Sequence, residues 1–151
     1  MAAGAGAYYF WQAGHSKSSN NQTVANQQAT LNNQIIKLDD EARSGGSSVD
    51  KVMADYAALA KSTTNSDDKY KVFLSESLSV MSMGYPDKAI SPAQQAYDIK
   101  PSADSAGALA DAYAGSGNND QAKKYYQQAI QYATKAGQST DYYTQQLEGL
   151  K

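Results

Sequence analysis

Apolar residues recur along this chain at steps of three, four and seven, the spacing of a single helical face. From Thr23 the stripe runs Val24, Leu31, Ile35, Leu38 and Ala42, which predicts a helix over 23–44. The stretch Ser44-Gly45-Gly46 stops it, glycine being the usual residue just past a helix end. Either Ser47 or Ser48 then caps a second helix over 48–62, with Asp50 placed to complete a capping box from Ser47. Its stripe is Val49, Val52, Met53, Tyr56, Leu59 and Ala60. A polar break, "STTNSDD", ends that helix, and Asp67 and Asp68 favour the start of the next. Five further helices are predicted over 67–83, 86–99, 103–115, 119–135 and 139–150. No segment keeps the two-residue alternation of a half-buried strand. The fold class is therefore all-α, with six to seven helices whose short connections make neighbours antiparallel. Pro92 falls inside the fourth of them, where it removes a backbone bond and crowds the preceding turn. An irregular stretch between 86 and 92 is expected, either a restart capped by Ser91 or a kink.

Two of these helices share a pattern. Gly84 is followed by Ala89, Ala93 and Ala96, and Gly117 by Ala122, Tyr126 and Ala129. The steps from glycine are the same in both, and the copies lie 33 residues apart. A match at that period marks a helical repeat in which each hairpin stacks on the next. Small side chains let the helices approach closely, the tyrosine fills space toward the neighbouring hairpin, and the glycines turn the chain at positive φ.

The pattern resembles the tetratricopeptide repeat (TPR) family. Over 103–136, Leu109, Ala110 and Tyr113 stand at the family's Leu, Gly and Tyr positions of the first helix, with Gly117, Ala122, Tyr126 and Ala129 following in register. Ala106 stands at the Trp position and Thr134 at the closing Pro position, so the second helix is free to run on. Over 70–102 the second helix matches, and Pro101 closes it. The first helix has two competing registers: Phe73, Glu76, Ser77 and Val80 stand at the family positions, whereas a one-residue slip presents Leu74, Leu78 and Met81. The helices over 23–44 and 48–62 resemble a divergent hairpin, and 139–150 a terminal half-repeat. The resemblance implies hairpins stacked as a short right-handed superhelix. It also implies a concave groove, lined by the first helix of each hairpin, that takes a protein or peptide. By position, Lys71, Leu74, Leu78 and Met81 of one repeat, and Asp104, Ala108 and Asp111 of the next, are the partner-binding residues. The competing reading packs Leu74, Leu78 and Met81 against helix 48–62.

Outside the helical domain of 23–151, the N-terminus changes the picture. Residues 2–11 carry no charge and end in Tyr8, Tyr9, Phe10 and Trp11. The run falls short of the roughly 20 apolar residues of a full span, but it resembles the end of one, where aromatic side chains gather. Residues 1–15 are thus expected to be the end of a membrane anchor or a tail, and 16–22, "SKSSNNQ", a polar linker. With only Lys17 before residue 37, the flank lacks the positive charge of a cytoplasmic side. That places an anchored domain outside the cytoplasm; without the anchor the chain reads as soluble and cytoplasmic. Asn21-Gln22-Thr23 matches a glycosylation acceptor, a pattern too short to weigh.

Composition and charge then narrow the function. Leu, Ile, Val and Phe supply about 20 of 151 residues, yet the net charge is −2 and there are 12 Tyr. Disorder pairs poor apolar content with strong charge and few aromatics, so a folded core of Ala and Tyr is expected. A pI near 5.2 with dispersed cations argues against nucleic acid. The absence of Cys excludes a disulfide framework, a thiolate zinc site and a cysteine nucleophile. His15 has no metal-pair partner, and no hydrolase, metalloprotease, P-loop or dinucleotide fingerprint occurs. Asp39, Asp40 and Glu41 sit with Lys37 and Arg43 on what reads as a solvated helix face. No catalytic residue, metal site or cofactor is expected. The sequence reads as a non-catalytic protein-interaction scaffold, tethered outside the cytoplasm. The alternative is a structural subunit of an envelope or surface assembly that stacks on copies of itself.

Overall fold

The computed structural model describes residues 5–150, with side chains from Asn21 onward. Seven helices follow one another: α1 (Ala5–Ser44), α2 (Val49–Ser62), α3 (Ser66–Ser82), α4 (Pro86–Ile99), α5 (Ala103–Gly115), α6 (Asn119–Lys135) and α7 (Asp141–Gly149). No strand occurs among the described residues, so the all-α helical repeat expected from the pattern is the observed fold.

Two compact units are present, residues 1–34 and 35–151. The first is the N-terminal stretch of α1. Residues 16–22 are helical there. From His15 to Ser44 the chain has neither Gly nor Pro, and polar composition alone does not end a helix. The uncharged aromatic run at 2–11 lies outside the residues whose side chains are described. Among the described residues no helix is long and apolar enough to cross a membrane.

The second unit holds the core. Consecutive helices from α2 to α7 pack on each other, and α3 also packs on α5. Local signals set the helix ends. Ser48, one of the two expected alternatives, caps α2, its side chain accepting from Lys51 N; Ser47, the other, donates to Glu41. Asn65 caps α3 through Asp67 N and Asp68 N. At α5, Ser102 and Ser105 form a reciprocal capping box. Gly84 and Gly117 adopt φ of 86° and 81°. Each closes its helix in the same way: Tyr85 N bonds to Val80 O at 3.2 Å, and Asn118 N to Tyr113 O at 2.9 Å.

Beyond these turns the predicted small-residue positions are buried: Ala89, Ala93 and Ala96 in α4, and Ala122, Tyr126 and Ala129 in α6. One cluster joins Ala93, Leu109, Ala110, Ala122, Tyr125 and Tyr126, with Tyr97, Tyr113, Tyr143 and Leu147 packed on it. Tyrosine rings stand in for the scarce aliphatic side chains. Tyr97 and Tyr125 meet edge-on at 5.5 Å, and Tyr113 and Tyr125 stack at 5.7 Å. The irregular turn expected between 86 and 92 does not occur. Pro86 takes the first helical position, where its missing N–H costs nothing. The helix then runs unbroken through Pro92, whose ring is fully buried. That burial acts against the one bond lost at the Lys88 carbonyl.

Candidate functional site

The first helices of successive hairpins carry the residues singled out by sequence, and their geometry separates them. In α3 the core-facing residues are Val72, Glu76, Ser77, Ser79 and Val80. This is the unslipped register, 33 residues before the equivalent positions of α5. On the alternative face Leu78 is 51 % exposed and is no core residue. Leu74 is half-buried, and Lys71 pairs with Asp68 at 3.2 Å. Met81 packs on the cluster of Val49, Val80, Ala89 and Ala112, which includes a residue of α2, as the competing reading expected for it.

In α5, Asp104 is exposed, Ala108 is buried and Asp111 is half-buried. Asp111 is already occupied. The Tyr126 hydroxyl donates to its Oδ1 at 2.5 Å, and the Tyr142 hydroxyl reaches Oδ1 and Oδ2 at 3.0 and 2.9 Å. Burial pushes the Asp111 carboxyl up while those two donors pull it back. Both hydroxyls are held protonated far above the usual tyrosine range, by burial first and then by the carboxylate. Next to them, Tyr143 fills the notch at Gly107, where an added Cβ would stand 2.5 Å from its Cε1. The chain's own α7 thus covers this part of α5. Ala108 is buried, and Asp111 is engaged by hydroxyls of its own chain.

An open cleft lies between α1 and α3, with Asp39 and Arg43 on one side and Ser75, Leu78, Ser79 and Ser82 on the other. Its volume is about 80 Å³. Asp39 is fixed from below: Tyr56 OH and Ser79 Oγ each donate to its Oδ1 at 2.5 Å. Burial and the adjacent Asp39 carboxylate push the Tyr56 hydroxyl well above its ordinary value, so it stays a donor. Asp39 is satisfied by hydroxyls, which leaves Arg43, one turn along, without an ion pair among the described residues. Ser75 likewise has no partner among them. The cleft therefore combines an exposed aliphatic side chain, an unpaired guanidinium and a free hydroxyl.

Of the seven residues expected to bind a partner, Leu78 alone lines this cleft. Arg43 and Asp39 were read from sequence as a solvated face; the 17-residue separation between Asp39 and Tyr56 left no local signal of their bond. Ser75 and Ser79 flank Leu78 on α3, and only the repeat register reveals which way they point. Among the described residues no group of His, Asp or Glu is arranged to hold a metal ion.

A family model, the tetratricopeptide repeat, matches residues 103–135, the span of α5 and α6. No curated protein and no solved structure matches the chain. With that repeat set in a row of helical hairpins, the chain is a TPR-like protein.

Proposed function

We propose that this protein is a non-catalytic interaction scaffold whose protein or peptide partner docks over the α1–α3 cleft, with Leu78 as its apolar anchor. Tetratricopeptide repeats are protein-interaction scaffolds and are generally not enzymes. One observation carries the reading to a particular surface. Leu78 stands where the next repeat has Asp111, yet it is half exposed beside an unpaired Arg43. Desolvated apolar anchors contribute most of the energy of such contacts, with polar groups at the rim fixing orientation. At the α5 end the same face is already filled by Tyr142 and Tyr143, so docking concentrates at the α1–α3 end.

A photoreactive residue placed at Leu78 tests this in the cells of origin, with Gln131 on the exposed side of α6 as control. The expected result is a discrete adduct at position 78, absent at 131 and lost when Arg43→Glu is added. Equal labelling at both positions, or none at 78, overturns it. An adduct of twice the chain mass would instead make the protein a self-associating subunit.

The finer part of the reading tethers the scaffold to a membrane through residues 1–15, on the outer side. Its support is the uncharged run ending in four aromatics and the scarcity of cations behind it. Flotation of the full chain with lipid vesicles, lost on deleting residues 2–11, is the expected outcome. A chain that stays with the soluble fraction removes the tether and leaves the scaffold.

A further inference from the structure

Glu76 occupies the core position that Leu109 fills one repeat later. It is 6 % exposed, and among the described residues neither a cation nor a hydrogen-bond donor meets its carboxyl group. The next residue adds to the anomaly, since Ser77 Oγ is buried with no partner among the described residues. A neutral carboxyl at such a place costs far less than an ionised one. Burial alone pushes the Glu76 acid up from its ordinary range to about 7.

No neighbouring element supplies a remedy. On α1, Asp39 is a second carboxylate, held by Tyr56 and Ser79. On α2, the Tyr56 hydroxyl is already raised by both Asp39 and Glu76, while Lys51 is engaged by Glu41 and Asp55. On α4, Lys88 bridges to Asp50, and α5 contributes the acids Asp104 and Asp111. Lys71 of α3 itself is bound to Asp68. Glu76 is also joined to the cleft through its own helix. Ser75 and Ser79 flank it and line the cleft, and the bond from Ser79 Oγ to Asp39 at 2.5 Å ties α3 to α1.

We propose that the α1–α3 docking surface is proton-linked: a neutral Glu76 lets α3 seat with Leu78 facing out, and its ionisation loosens α3 and disperses the cleft. The consequence for a partner rests on the docking role proposed above; the proton linkage itself does not. The sign follows from the direction of the shift. The folded protein holds the Glu76 proton more tightly than the unfolded chain does. The stabilisation is fully present below the ordinary glutamate value of 4.5 and is lost as pH rises to about 7.

Urea unfolding of the full chain from pH 5 to 8, beside Glu76→Gln and Glu76→Leu, tests the linkage. The unfolding constant of the unchanged chain, divided by that of Glu76→Gln, should rise roughly tenfold per pH unit up to about 7 and then level. Glu76→Leu imports the side chain of Leu109; it keeps a folded reference if the amide fails to fold, and gives the same rising ratio. A ratio that stays flat across this range overturns the proposal. Photocrosslinking at position 78, repeated at pH 5.5 and 7.5, separates the two claims. A rising ratio with no adduct at either pH upholds the linkage and sinks the docking reading. An adduct of equal yield at both pH values, with a flat ratio, does the reverse.

Discussion

The helices α3 and α5 hold equivalent places 33 residues apart, and their polarity is inverted. In α5 the core receives Leu109 and Ala110 while Asp111 points outward; in α3 it receives Glu76 and Ser77 while Leu78 points outward. The backbone solution is common to both, down to the glycine turns that close them. What differs is how each outward side chain finds company. Asp111 is held inside the chain by two tyrosine hydroxyls, whereas Leu78 has a half-open cleft. A repeat that buries a carboxyl and exposes a leucine gives up stability that its neighbour keeps. Such local inconsistency is expected at functional positions. Under the docking role proposed above, the contrast separates a structural repeat from a working one.

The sharpest way to break that contrast is to weaken the structural repeat. Leu109 is fully buried at the centre of the α4–α6 cluster. Leu109→Ala removes its transfer energy and leaves a cavity, and should cost about 3 kcal/mol in urea unfolding. Glu76→Ala at pH 8 should cost much less, or stabilise, because it removes an unpartnered carboxyl along with its stem. Equal losses at the two positions would mean that Glu76 is a satisfied core residue and that the inversion has no energetic meaning.

A smaller effect sharpens the account of how α7 sits on α5. At Gly107 an added methyl would meet the Tyr143 ring at 2.5 Å. The ring must swing away, taking with it the neighbouring Tyr142 that bonds to Asp111. Gly107→Ala should destabilise the chain by about 2 kcal/mol and raise hydrogen exchange in α7 ahead of α4. Unchanged protection in α7 would show that its seat on α5 does not depend on the notch.

The sequence was most legible where local chemistry decides. The bounds 86–99, 103–115 and 119–135 coincide with α4, α5 and α6, because Pro86, Ser102 and Gly117 each act within one turn. The alanine and tyrosine spacing after the two glycines also named the buried face correctly. Legibility failed where partners lie far apart in the chain. Asp39 is bonded by Tyr56 and Asp111 by Tyr142, at separations of 17 and 31 residues, and neither pairing leaves a periodic trace. In α3 the hydrophobic pattern left two registers open, since Leu74, Leu78 and Met81 compete with Phe73 and Val80. Only the repeat register, fixed by Gly84, kept the observed alternative in view. Residues 16–22 continue α1 for a simpler reason: no glycine or proline follows until Gly45, and polar composition alone breaks no helix.

The smallest expected effect probes what the two repeats share. Gly84 and Gly117 both sit at positive φ, and an added Cβ at either meets nothing within 4 Å. The cost of alanine there is thus conformational alone, with no steric contribution from neighbours. Gly84→Ala and Gly117→Ala should each lose about 1 kcal/mol. If the turns are as alike as their bonding indicates, the two losses should agree within a few tenths of a kcal/mol. A Gly84 loss well below that of Gly117 would show that α3 and α4 are already loosely joined. The weakness of the inverted repeat would then lie in its turn as well as in its buried carboxyl.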